Sequence, residues 1–321
     1  MRANAYILAI SMSLAATGVS QAQRVLGPMP TEQTPMRAAT PPAAAPSPSL
    51  LPPPAAAPVV DANCANPNAL GVARTVEIDT TGAPGFGFEH FKAYDFLRPG
   101  EVVLTFDDGP WPNSTAIVLQ ALATQCTKAV FFPIGKHSIW RPDILKQVAA
   151  GGHTIGSHTW SHVDLSKLPA DQAVAEIEKA MSAVRIAAGV PVAPFFRFPQ
   201  LKHPPEIMAY LGNRNVAVFS TDFDSFDFKF RKPEQVVKSV MDKVKKHGKG
   251  IVLMHDNHTW TANAVTSILA ELKAGGYKVV HMKAKEQLST QPEYDDMVMK
   301  ELNPSGVMAR PMSSVIRTVG E

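Results

Sequence analysis

Seven short apolar runs, each but the last followed by a segment of helical pattern, set the tightest limit on how this chain folds. VVLTF (102–106) precedes a helical pattern from about Ser114 to Gln125. AVFFPI (129–134) precedes RPDILKQVAAGG, where Pro142 suits a helix start and Gly151 a stop. HTIGS (153–157) leads through a loop to a long helix near 169–188, and PFFRF (194–198) to a helix near 205–212. VAVFS (216–220) precedes PEQVVKSVMDKVKKHG (233–248), GIVLMH (250–255) precedes a helix near 262–274, and YKVVHM (277–282) closes the set. Strand and helix in alternation predict an α/β fold, a parallel sheet covered by helices, either closed as a barrel or doubly wound. In both architectures functional groups gather beyond the carboxyl ends of the strands.

The conspicuous polar residues stand at those ends. Asp107 and Asp108 follow the first strand, His158 and His162 the third, and Arg197 ends the fourth. STDFDSFD (220–227) follows the fifth, and His255 with Asp256 ends the sixth. Two adjacent carboxylates repel, and a cation beside them relieves the repulsion. Before Gly109 the same pair also suits plain turn capping. His158 and His162 are four residues apart, which on a helical turn brings both imidazoles to one side. Such a pair alone is commonly structural. Beside an acidic pair at a neighbouring strand end it favours a metal, because two imidazoles and one carboxylate leave positions open for water and substrate.

TFDDGP, SHTWSH, RFPQ, DSFDF and LMH, in that order, resemble the five motifs of the polysaccharide deacetylases, the NodB-homology group or carbohydrate esterase family 4, over about 101–285. The resemblance implies a distorted (β/α) barrel of about seven parallel strands and metal-dependent removal of acetyl groups from N-acetylated sugars. It implies Asp108, His158 and His162 as metal ligands, Asp107 as general base and Arg197 as the residue that fixes it. It further implies His255 as general acid, oriented by Asp227, with Asp224 the weaker choice for that partner. The ion implied is zinc, with cobalt or nickel as alternatives. Two positions depart from the family pattern. Gln200 stands where the third motif usually has Tyr, a residue whose main-chain N–H serves the oxyanion, and Phe228 stands where the fourth usually has Trp. A main-chain role survives the first exchange and an aromatic wall the second. Leu253 is placed against the acetyl methyl.

Other residues carry plainer readings. His153 and His258 read as structural or rim residues, Trp111 and Trp160 as sugar-stacking or loop-packing rings. Ser157 and Ser225 lack the setting of a nucleophile. Rival functions are a non-haem iron oxygenase, a sugar-binding relative without turnover, and an amidase on a small non-sugar amide. The oxygenase needs neither an Arg-held base nor a His acid.

Outside that region, Arg2, the apolar AYILAISMSLAATGV and the small residues of SQA read as a secretory signal over 1–22. Eleven of the 28 prolines fall in 28–58, so 23–60 reads as an extended spacer. Residues 61–100 read as an extension packed on a 101–287 deacetylase domain, and 288–321 as a loosely ordered tail. Cys64 and Cys126, the only cysteines, invite one disulfide in an exported chain, periplasmic or extracellular. A net charge of +3 without a long basic run argues against nucleic acid. The expected partner is an N-acetylated glycan, with no transmembrane span in the mature chain and no protein partner.

Overall fold

The computed structural model describes residues 64–303. The expected signal, the spacer and 304–321 lie outside the described residues. β1 (Arg74–Ile78) and β2 (Gly85–Phe86) come from the N-terminal extension, ahead of β3 (Glu101–Asp107), the first strand that the apolar pattern marks. Then follow α1 (Ser114–Thr124), β4 (Val130–Phe132), the short α2 (Gly135–Trp140), α3 (Pro142–Ala150) and β5 (Thr154–Ile155). The middle of the chain forms α4 (Ala170–Ala188), β6 (Phe195–Phe196), α5 (Pro205–Asn213), β7 (Ala217–Phe219) and β8 (Phe223–Asp224). The last elements are α6 (Pro233–His247), β9 (Gly250–His255), α7 (Thr259–Ala274), β10 (Lys278–Ala284) and α8 (Pro292–Leu302).

Local sequence explains the punctuation. α3, α5, α6 and α8 open on a proline, whose missing N–H costs nothing in the first turn. α4 and α6 stop at Gly189 and Gly248, both left-handed at φ 69° and 74°.

Every strand pairing is parallel. Seven strands make one sheet, with β3 at its centre. β9 lies along one side of β3, from Val102 opposite Gly250 to Asp107 opposite His255, and β8 pairs with β9 beyond it. On the other side β10 pairs with the start of β3 and β4 with its end. β2, β7 and β6 form a second, three-stranded sheet, joined to the first by one bridge between Ser157 and Phe196. The expected ring of about seven parallel strands is thus present as a parallel array whose hydrogen bonding does not close among the described residues. The physical reason is length: β2, β5, β6 and β8 have two residues each, too few to carry a continuous ladder.

Alternation along β3 sorts its side chains. Val102, Leu104 and Phe106 join the layer packed with the helices, alongside Val118, Leu122 and Ile268. Val103 turns inward with Phe132, Phe195, Phe219 and Ile251. Asp107 continues the inward set, which aims a carboxylate into the carboxyl end of the array.

One expectation for the flanks changes. The tail assigned to 288–321 contains α8, which packs on α4 through the fully buried Val298. The extension supplies two strands, and Cys64 within it is joined to Cys126, just after α1, with Cα atoms 5.8 Å apart. No helix among the described residues is long and apolar enough to cross a membrane.

Candidate active site

The register of β3 and β9 sets Asp107 directly beside His255. Below them lies Arg197, fully buried just after β6. Its Nη1 donates to Asp107 Oδ1 and to Thr105 Oγ1, both at 2.7 Å, and its Nη2 donates to the Ser220 carbonyl at 2.8 Å. The guanidinium carbon sits 4.4 Å from the Phe132 ring centre. A planar donor held at so many points cannot swing, so Asp107 Oδ1 is fixed and Oδ2 is left facing the pocket.

Asp108 leaves the strand in a left-handed turn, φ 73°, that carries its carboxylate out of the alternation and toward His158 and His162. Gly109 follows because a Cβ there would run into the carboxylate of Asp256. The loop after β5 brings the two histidines in. His158 Nδ1 donates to the Arg197 carbonyl at 2.7 Å, which leaves Nε2 with its lone pair. His158 Nε2 is 3.6 Å and His162 Nε2 3.4 Å from Asp108 Oδ1. The histidine spacing works through a turn rather than the expected helix: Thr159 and His162 have φ of 63° and 60°, and His162 N–H donates to Thr159 Oγ1 at 3.0 Å.

Asp108, His158 and His162 place one ligand atom each within 4.8 Å of one another, and they are the only such group among the described residues. Asp108 Oδ1 is buried without a hydrogen-bond partner. A buried carboxylate oxygen left unpaired between two imidazoles is costly, and a divalent cation satisfies it. Burial pushes the Asp108 carboxyl upward, but the imidazoles of His158, His255, His162 and His137 hold it below its ordinary value. Burial lowers His158, against the pull of the two aspartates, and so keeps it neutral as a ligand must be. The donor set therefore fits a zinc-type ion.

His255 Nδ1 is 2.6 Å from Asp227 Oδ1, and the His255 main-chain N–H donates to Asp227 Oδ2 at 2.7 Å. Thr261 Oγ1 donates to the same oxygen at 2.8 Å. Asp224 instead accepts from the Phe226 N–H, so of the two carboxylates Asp227 is the one bonded to His255. Burial works against a charged His255, but Asp227, with Asp108 and Asp107 behind it, pushes it up to about 10.

Five of these groups, Asp107, Asp108, His158, His162 and His255, line a cavity of about 440 Å³ with Gln200, Phe228 and Leu253. Gln200 lines the cavity from a left-handed turn at φ 56°. Phe228 stands edge-on to His255 with ring centres 5.7 Å apart. His258 also lines the cavity, a rim position, whereas His153 is tied to the Ala129 N–H away from it. Trp160 is buried against Ala180, Ala183 and Val298, so it packs rather than stacks on sugar. A second cavity of similar volume, lined by Tyr94 and Lys249 at the amino end of β9, holds none of the five groups.

Three residues near the site received no role in the sequence reading. His137 Nδ1 donates to the Asp108 carbonyl at 2.7 Å, and Asn257 Nδ2 reaches Asp108 Oδ2 at 3.4 Å. Asp256 is buried under Gly109 with its pKa raised to about 7, chiefly by burial. The first two act through one main-chain atom and one amide, which no spacing marks. Asp256 was visible only as the neighbour of His255.

Residues 97–218 match the family described as polysaccharide deacetylase. The chain is 34% identical over 185 residues to the peptidoglycan-N-acetylglucosamine deacetylase PgdA of Listeria monocytogenes, covering 56% of this chain and 37% of that protein. It is 31% identical over 199 residues to the chitin deacetylase of Colletotrichum lindemuthianum, covering 57% of this chain and 78% of that one. Among solved structures, a peptidoglycan deacetylase of Bdellovibrio bacteriovorus superposes with a TM-score of 0.60 at 34% identity, covering 66% of this chain and 59% of the other. The chain thus spans well under half of the Listeria protein and most of the fungal one.

Proposed function

This chain belongs to the polysaccharide deacetylase family, and from that premise we propose that it hydrolyses the acetamide of an N-acetylated hexosamine within a glycan, releasing acetate and leaving a free amine. The observation that carries the reading is one juxtaposition. An arginine-fixed carboxylate, Asp107, and a carboxylate-fixed imidazole, His255, flank one cavity beside Asp108, His158 and His162.

Asp108, His158 and His162 are the residues that would hold a divalent ion. When bound, a zinc-type ion polarises the acetyl oxygen and lowers the pKa of water from about 15.7 to about 7. Asp107 takes the proton of the attacking water at Oδ2, because Oδ1 is held by Arg197. His255 gives a proton from Nε2 to the departing nitrogen, because Nδ1 is held by Asp227. The Asp227 carboxylate favours the protonated ring, so the proton is in place for that transfer. The main-chain N–H of Gln200 steadies the developing oxyanion. Leu253 supplies apolar contact for the methyl, and Phe228 walls the sugar ring. Water and amide go in; acetate and amine come out.

The relatives' names support a peptidoglycan- or chitin-type substrate. The Cys64–Cys126 pair and the signal-like start support a periplasmic or extracellular setting. The test is acetate release by the full chain from peptidoglycan, chitooligosaccharide and exopolysaccharide, with and without chelator. Release that stops with chelator and in Asp107→Asn supports the reading. Chelator-insensitive release removes the metal, and an Asp107→Asn protein as active as wild type removes the base.

A further inference from the structure

Resting on the reading of Asp108 as a metal ligand, we propose that Asp256 and Thr115 are positioning residues for it, a clamp on the Asp107–Asp108–Gly109 turn that aims the Asp108 carboxylate at His158 and His162.

A carboxyl group buried without a cation is costly. Asp256 is 1% exposed. It shares a small apolar recess with Phe106, Phe131, Leu145 and Val148, and Thr115 is its only side-chain partner among the described residues. Its Oδ1 has no hydrogen-bond partner there. Filling the recess would be done better by an apolar side chain, so the acid needs another account. That account is what its two ends hold. The carboxyl group lies flat against Gly109, where any Cβ would run into it, and so fills the underside of the turn. Its Oδ2 accepts from Thr115 Oγ1 at 2.6 Å.

Thr115 extends the hold to the far end of the turn. It is fully buried in the first turn of α1, and its Oγ1 accepts from the Trp111 N–H at 2.8 Å. One hydroxyl thus donates to Asp256 and receives from the main chain three residues after Asp108. α1 has no acid of its own in its first turn, where negative charge is favoured, and Asp256 brings one from the end of β9.

The two sides of the turn are held differently. On the β4 side the bonds are main-chain: the Asp108 N–H donates to the Phe132 carbonyl at 3.3 Å, and the Ile134 N–H to the Gly109 carbonyl at 3.0 Å. On the β9 and α1 side the Asp256 N–H donates to the Asp107 carbonyl at 3.2 Å, and everything beyond that passes through the Thr115–Asp256 bond. Asp108, at φ 73°, stands between them. Left-handed backbone at a residue with a side chain persists where its surroundings over-determine it. With one side released, Asp108 relaxes and its carboxylate turns away from the imidazoles. Asp107 and His255 have supports of their own in Arg197 and Asp227, so the clamp governs metal affinity rather than proton transfer.

The test measures zinc affinity of the full chain by chelator competition. Thr115→Val, which keeps the shape and loses the hydroxyl, lowers affinity about 10–100-fold, and Asp256→Ala does the same. Thr115→Ser, which keeps the hydroxyl, stays near wild type. At saturating zinc, kcat for acetate release in Thr115→Val returns to near the wild-type value. Leu122→Ala, which opens a cavity elsewhere in α1, lowers Tm without moving zinc affinity. Wild-type affinity in both Thr115→Val and Asp256→Ala overturns the proposal. So does an equal loss in Leu122→Ala, the mark of a general loosening of α1. A second readout needs no metal: hydrogen exchange at the Trp111 amide is slow in wild type and Thr115→Ser and fast in Thr115→Val. Equal exchange in all three also overturns the proposal. If wild type binds no zinc, the metal reading fails while amide exchange still decides the clamp.

Discussion

Arg197 fixes two functional groups at once. Its guanidinium holds Asp107, and its carbonyl accepts from His158 and so sets which nitrogen of that ring is free. Both partners are buried, so Arg197→Ala strands a carboxylate, at about 3–5 kcal/mol. Arg197→Lys restores a charge but not the fork that reaches Thr105, Asp107 and Ser220 together. The lysine variant should fold, with acetate release down by about a hundredfold from a misaimed base. Near-wild-type turnover in it would refute the claim that orientation, rather than charge, is what Arg197 supplies. His255 gives a pH prediction. Its folded-state pKa of about 10 lies above its ordinary 6.5. The stabilisation from its pairing with Asp227 is therefore fully present below 6.5 and lost as pH rises through about 10. In the metal-free protein, NMR should find the His255 imidazole protonated until about pH 10, and in Asp227→Asn it should lose its proton at a lower pH, because burial then acts with less opposition. Titration near neutrality in wild type would contradict this. At this scale much was legible: a strand running into Asp-Asp-Gly fixes where carboxylates emerge. His137 and Asn257 were not, because neither belongs to a pattern.

The loop carrying His158 and His162 depends on elements beyond the five motifs. Trp160, between the two histidines, donates its N–H to the Glu176 carbonyl, and Ser161 binds the Glu176 carboxylate through its main chain and its hydroxyl. The Lys179 ammonium sits 3.9 Å from the centre of the Trp160 ring. α8 closes this packing with Val298 and ties itself to α4 through Arg185–Asp295 and Lys179–Glu301. Removing 288–321 should loosen the histidine loop and weaken zinc binding about 10–100-fold, measured by chelator competition. Val298→Asp, which keeps the chain length, should act in the same direction. Unchanged affinity in both would show that α8 only covers the surface. α8 was illegible for a physical reason: Val298 is its one buried residue, so no apolar period exists to find. β8 was hidden by its two-residue length. α3, α4 and α6 were legible because their apolar stripes end in proline or glycine.

Over the whole molecule, stability and chemistry occupy opposite ends of the strands. Asp107 and His255 stand at the carboxyl ends of β3 and β9, where the ladder sets them side by side, and Asp108 and His158 stand on the loops just beyond strand ends. Cys126 precedes β4, at the amino ends, and its bond to Cys64 anchors the chain just before β1. The two cysteines are 62 residues apart. Closing a loop of that size removes unfolded-state entropy worth about 4 kcal/mol in the chain-entropy account. For a domain of this size that is about 10 °C in Tm. Reduction, or Cys126→Ser, should therefore lower Tm by about 10 °C and leave kcat at 25 °C unchanged, because the bond touches no group lining the pocket. Thermal unfolding with and without reductant, alongside acetate release from the same samples, checks both halves. A kcat that falls in step with Tm would mean that the two ends are mechanically coupled, and the division of labour along the strands would not hold.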